Sequence, residues 1–201
     1  MSQIQWIQKP MIKPTTAPEW STQIERWYQL DGASFALADL FWSNRQTLST
    51  RPAWMLLASP RASNEADLDF AQNPSPAKFV HTLPNVRGAA LIRLMGWNGP
   101  TLCLQKDPST VVTALHEAME LSEQGEVWVA SAEHRRNQWI ASLIRVGARE
   151  GDWTFERSFS SPFGKAQEFT IVNDDQGWWS WVDRAQKSTA SIGPFQLRSA
   201  Q

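Results

Sequence analysis

GPTLCLQKDPSTVVTALHEA, residues 99–118, carries the reading of the fold. TLCLQ is an apolar run of strand length that follows a Gly-Pro turn. Asp107 is a good N-cap and Pro108 suits the first helical position. Val111, Val112, Leu115, Ala118 and Met119 then recur on one helical face until Gly125. The stretch predicts a short strand, a tight turn and a helix buried along one side.

On the N-terminal side, residues 85–95 place Val86, Ala89, Ala90, Leu91, Leu94 and Met95 at helical spacing, and Gly96 falls where a helix ends. On the C-terminal side, EVWVASA at 126–132 reads as the next strand. Further upstream, AWMLLAS at 53–59 reads as a buried strand stopped by Pro60. Helix, strand, helix, strand with short links is the arithmetic of an α/β fold whose mixed or largely parallel sheet is covered by helices. Residues 18–30 and 34–48 read as helices, the second with Phe35, Leu37, Ala38, Leu40, Phe41 and Trp42 to bury. Residues 63–76 read as a short helix and a loop.

After Arg136 the pattern changes. Residues 139–146 and 153–159 are β-like runs separated by GAREGD, which reads as a hairpin, and residues 167–172 could add a strand. The tail STASIGPFQLRSAQ carries little pattern and is expected to be loose. Residues 137–201 thus read as a β-rich extension of a single domain spanning 1–201.

The chain of 201 residues is long enough for one sizeable core. Its 19 basic and 20 acidic residues form no block of like charge, which excludes a phosphate-tracking stripe and argues against nucleic acid. The lone cysteine, Cys103, excludes an intramolecular disulfide framework and a thiolate metal cluster. The start, MSQIQWIQKPMIKP, lacks a secretory pattern and no later segment approaches membrane-spanning length, so the expected location is cytoplasmic. Tryptophan is the anomaly, at 12 against a single tyrosine. The run WWSW at 178–181 cannot turn all its side chains to one side, so part of it is expected to meet another surface.

From FVHTLPNVRGAALIRLMGWNGP through TLCLQKDPSTVVTALHEAMELSEQGEVWVASAE, the order of residues resembles the N-terminal half of a β-ketoacyl synthase of the thiolase fold. In that family an Asn opens a helix ending in a glycine, a Gly-Pro turn leads into a strand, and the strand runs into an elbow whose cysteine heads a long buried helix. A glycine-containing turn and a strand ending in small residues and a glutamate follow. Asn85, Gly96, Gly99, Pro100, Leu102 to Gln105, the helix after Pro108, Gly125, and the run Ala130 to Glu133 correspond. The resemblance implies a thiolase-like half-fold.

Counting from Gly99 and Pro100 without a gap puts Pro108 at the family's nucleophilic cysteine. There a helix N-terminus stabilises a thiolate that attacks an acyl thioester. Proline has no such atom, and Cys103 lies five residues upstream, mid-strand, where a thiol is usually packing. The family's catalytic histidine pair lies in a second half, and this chain has no histidine after His134. His81, His116 and His134 read as surface or locally bonded histidines. The chain is therefore expected to be a pseudoenzyme, with no catalytic residue, metal or cofactor.

In thiolase-fold dimers the strand leading to the nucleophile pairs antiparallel with its counterpart across the twofold axis. A chain that keeps this strand without the chemistry resembles a chain length factor, the inactive partner of a ketosynthase, and most closely the truncated type of aryl polyene biosynthesis. The resemblance implies heterodimerisation with a full-length β-ketoacyl synthase through Thr101, Leu102, Cys103, Leu104 and Gln105. It also implies a role for Met95 and Trp97 at the floor of the acyl tunnel, and acyl chains carried by an acyl carrier protein. Two other readings stay open at this point. One is a stand-alone α/β binding or scaffold module, since Asp107-Pro108 is also an ordinary helix start. The other is an enzyme of another class. For the latter, HEAME at 116–120 has Glu120 where a zinc motif needs a second His, and no GxSxG elbow, P-loop or GxGxxG is present.

Overall fold

Apolar runs and their partners build one mixed sheet in the computed structural model, which describes residues 2–59, 64–105, 110–135, 138–147, 153–157, 190–192 and 195–199. The strands are β1 (Ser2–Met11), β2 (Trp54–Ser59), β3 (Thr101–Gln105), β4 (Val127–Arg135), β5 (Gln138–Val146), β6 (Trp153–Arg157), β7 (Ala190–Ile192) and β8 (Phe195–Ser199). They stand in the order β3-β2-β4-β5-β1-β6-β8-β7. Both neighbours of β2 run parallel to it, setting Leu56 beside Leu102 on one side and Val129 on the other. All other pairings are antiparallel. A strand flanked by parallel partners is covered on both faces, which explains the unbroken apolar sequence of β2.

Alternation along the strands sorts the core into two layers. On one face Met55, Leu57, Trp128, Ala130 and Leu143 pack under helices α1 (Gly32–Ser43) and α4 (Ala89–Met95). On the other, Leu56, Ala58, Val127, Val129, Ile144 and Val146 pack under α5 (Thr110–Leu121) through Val111, Ala114, Leu115 and Ala118. The apolar stripe expected after Pro108 is this α5 contact, and TLCLQ and residues 53–59 and 126–132 fall on β3, β2 and β4.

Helix α1 overlaps the predicted 34–48 segment but starts earlier and stops sooner. Asp31 caps its N-terminus by accepting from the Ser34 N–H at 2.6 Å, and at its end Asn44 donates its side-chain amide to the Leu40 carbonyl at 2.8 Å. The helix expected over residues 18–30 is instead two 3-10 turns, Glu19–Thr22 and Trp27–Gln29. Neither has a side-chain cap, and the broken path lets two indoles reach one ring. Trp20, fully buried, lies 4.9 Å from Phe35 between ring centroids, and Trp27 lies 6.2 Å away. Tertiary packing of aromatics overrides helix propensity here.

The helix predicted over 85–95 opens as a 3-10 turn, Pro84–Gly88, before α4 takes over. Gly96 ends it as expected, in the left-handed region at φ 57°, with its N–H turned back to the Arg93 carbonyl at 3.0 Å. Between β2 and that turn lie α2 (Asn64–Gln72) and, beyond the expected short helix and loop, a second helix, α3 (Pro76–His81). Ser75 caps α3 through the Lys78 N–H, which makes so short a helix possible.

Two readings of the C-terminal part are corrected. The runs flanking GAREGD do not form a hairpin: β1 inserts between β5 and β6 and pairs with both. The tail read as loose contains β7 and β8, which pair with each other and extend the sheet beyond β6. Pro108, residues 167–172 and the tryptophans at 178–181 lie outside the described residues.

Candidate functional site

Strand β3 stands at one end of the sheet and, among the described residues, has β2 as its only strand neighbour. The Met55 N–H donates to the Pro100 carbonyl at 3.1 Å, and the register sets Met55 beside Thr101. In a parallel ladder alternate residues turn both main-chain groups to the same neighbour, so Leu102 and Leu104 bond toward β2 while Thr101, Cys103 and Gln105 present theirs outward. Leu102, Cys103 and Gln105 are exposed, with Leu102 at 38%. Thr101 and Leu104 are half-buried.

The side chains divide by face. Cys103 stands beside Leu57 on the α1 face, whereas Leu104 packs against the core beneath α5. Although Cys103 is exposed, partial desolvation against the sheet pushes its thiol up from the ordinary value, the opposite of what an activated nucleophile needs. Edge strands are normally blunted by charge, proline, a bulge or short length. The strand TLCLQ contains no charged residue and no proline, whereas β7 at the other end of the sheet is only three residues long. The β3 edge is chemically open to main-chain pairing.

Met95 and Trp97 belong to the core on the α1 face, at 1% and 9% exposure. The Trp97 Nε1–H donates to the Pro52 carbonyl at 3.2 Å, and the indole lies so close to Gly99 that a Cβ there would meet its ring at 2.5 Å. This contact explains the glycine of the Gly-Pro turn before β3. A small cavity of about 10 Å³, room for about one water, opens elsewhere, between Leu37, Leu57, Ala130 and Ala132, with Ser59 and Arg87 also lining it. Arg87 donates to the Ser59 hydroxyl there.

The three histidines are not brought together. His81 ends α3, His116 lies on α5, and His134 lies on β4, where its ring sits 5.2 Å from Trp139. Among the described residues no group of three His, Cys, Asp or Glu is placed to hold a metal ion, and no helix is long and apolar enough to cross a membrane. Sequence reasoning missed one surface feature. Leu68, Phe79, Val80 and Leu83, on or just after α2 and α3, are exposed at 62, 51, 45 and 40%. The signal was present as adjacent apolar residues in a segment too short and polar to read as a core helix.

No protein-family model matches the chain, and no curated protein matches it. Among solved structures, it is similar to a chain of the complex of a ketosynthase (ApeO) with its chain length factor (ApeC) from Xenorhabdus doucetiae. The TM-score is 0.61 at 14% identity, over 98% of this chain and 97% of that one. It is also similar to the ishigamide ketosynthase/chain length factor, at TM-score 0.49 and 13% identity over 85% of this chain and 59% of that one. A third likeness is to the β-ketoacyl-acyl carrier protein synthase III of Thermus thermophilus, at TM-score 0.36 and 16% identity over 78% and 55%. The fold is therefore α/β and thiolase-like, shared almost end to end with a chain of a ketosynthase–chain length factor complex.

Proposed function

We propose that this chain is a non-catalytic subunit of the chain length factor type, which pairs with a full-length β-ketoacyl synthase and shapes the tunnel holding its acyl or polyene product. The observation that carries the reading is β3, an uncharged strand at the sheet edge with the outward main-chain groups of Thr101, Cys103 and Gln105 free of any described strand partner. The likeness in fold, nearly coextensive with a chain of a ketosynthase–chain length factor complex, supports the kind of partner. Addition of a strand to such an edge supplies affinity through main-chain hydrogen bonds and specificity through alternate side chains.

The ungapped count that sets Pro108 at the nucleophile position, and the dispersal of the histidines, support a role without acyl transfer. Limiting a growing chain needs only a wall. Forcing extra methylenes into packed side chains costs roughly 1 to 3 kcal/mol, without any titrating group. On this reading Met95 and Trp97 give the floor its rigidity, because both are packed into the core and leave no slack. The setting is the cytoplasm, and the acyl chains reach the partner on an acyl carrier protein.

Co-expression with the full-length β-ketoacyl synthase of the same organism, followed by size-exclusion chromatography with light scattering, tests the reading. The expected result is a stable complex containing both chains, with no acyl adduct on this subunit by intact-mass spectrometry. A monomer indifferent to the synthase, or self-acylation of Cys103, overturns it.

A further inference from the structure

A strand of five residues with one open edge is a small docking surface. Stable interfaces use roughly 20 to 30 residues a side and bury about 800 Å² per partner, so a flank of β3 must take part in any durable pairing. The two flanks differ in chemistry. On the α5 side, among the described side chains of that helix, the exposed ones are Thr113, Glu117 and Glu120, all polar. On the α1 side, the turn Pro84–Gly88 packs on β3 and also on α3, which packs on α2. This flank exposes Leu68, Phe79, Val80 and Leu83. Of the seven exposed large hydrophobic residues described, four lie in this α2–α3 segment, while Leu102 of β3, beside Leu56, belongs to the α5 face.

We propose that Phe79, Val80 and Leu83 form the apolar half of the ketosynthase-facing surface, beside the main-chain half supplied by β3. This rests on the reading of the chain as a ketosynthase partner and specifies where that partner is gripped. Phe79 is pre-set for the role: its ring packs on Phe70 with centroids 5.7 Å apart, and α3 is capped by Ser75. Lys78 is tied to Asp69 at 2.8 Å, closing α3 onto α2. An anchor already held in place loses little freedom on binding.

The test is site-specific photocrosslinking in cells that co-express the full-length β-ketoacyl synthase of the same organism. p-Benzoylphenylalanine replaces Phe79, Cys103 or, as a control, Ile12, an exposed residue just beyond β1, the strand four places from β3 in the sheet. Crosslinks to the synthase from positions 79 and 103 but not 12 are expected. Alongside, the double change Phe79→Glu with Leu83→Glu should weaken the complex by about 30-fold or more, as loss of interface anchors does, with the circular dichroism spectrum unchanged and Ile12→Glu without effect. If the acidic variant fails to fold, the crosslinks decide. A crosslink from 103 without one from 79 overturns the proposal and leaves the partner reading standing. A crosslink from 79 to a second copy of this chain also overturns it. Silence at both positions removes the partner reading itself, and this proposal with it.

Discussion

Arg145 of β5 grips Glu126, the residue before β4, through two hydrogen bonds, Nε to Oε1 at 2.6 Å and Nη2 to Oε2 at 2.9 Å. Both side chains are nearly buried, at 11 and 13% exposure. The Trp128 indole N–H also donates to Glu126, and Arg145 reaches Thr50 at 3.0 Å. One guanidinium thus ties the adjacent strands to the segment leading into β2. Removing one member of a buried pair strands the other charge. Glu126→Gln or Arg145→Met is expected to lower stability by about 3 to 5 kcal/mol, and the double variant by clearly less than the sum. Urea denaturation of the four proteins measures this.

Leu102 and Leu104 look equivalent in TLCLQ and are not. Leu104 packs against the core beneath α5, whereas Leu102 is exposed. Leu104→Asp should destabilise the isolated chain by about 2 to 4 kcal/mol, because it removes buried apolar surface and leaves a carboxylate against the core. Leu102→Asp should stay within about 0.5 kcal/mol of the parent, as surface changes do. Thermal melts separate the two. Only Leu102→Asp is then a clean probe of complex formation, which it is expected to abolish.

Cys103→Pro isolates the main chain of the edge. The Cys103 N–H points away from β2, so proline there costs no bond of the internal ladder and is tolerated at an edge. The isolated chain is expected to keep its fold by circular dichroism while the co-expressed synthase no longer co-purifies.

The Cys103 thiol offers a pH test. Burial raises its pKa, so less thiolate is present at neutral pH than in a free thiol. Alkylation by iodoacetamide should be slower than that of a cysteine in an unstructured peptide at pH 7 to 8. Its rate should climb through a range above the ordinary thiol value of about 8.5. Mass spectrometry against time at several pH values gives the profile, and formation of the complex should suppress labelling at every pH.

Ser131 and Ser142 sit opposite each other across β4 and β5, fully buried, and neither hydroxyl has a hydrogen-bond partner among the described residues. An orphaned buried hydroxyl costs more than it returns. Ser142→Ala should leave stability unchanged or raise it by up to about 1 kcal/mol, as read from the denaturation midpoint.

The central α/β segment was legible because its signals are local. The Gly96 stop, the strand TLCLQ and the stripe Val111, Leu115, Ala118 each depend on residues within a turn or two. What escaped depends on distant partners. Strand β1 pairs with β5 residues 128 to 142 positions away, and Pro10 obscures it further. That proline is tolerated because β6 covers only Ser2 to Ile4, so no described strand faces Pro10 on that side. The false hairpin at GAREGD has the same cause: no local pattern announces that a third strand lies between its arms. At the candidate site, the strand could be read, but which leucine faces solvent could not. That depends on where α5 lies over the sheet.

The place of β1 governs how the chain must be made. Residues 2 to 11 leave the ribosome well before their neighbour in the sheet, residues 138 to 146. The nascent chain carries a β-prone segment in waiting until β5 has emerged, and this part of the sheet closes only by a long-range, slow encounter.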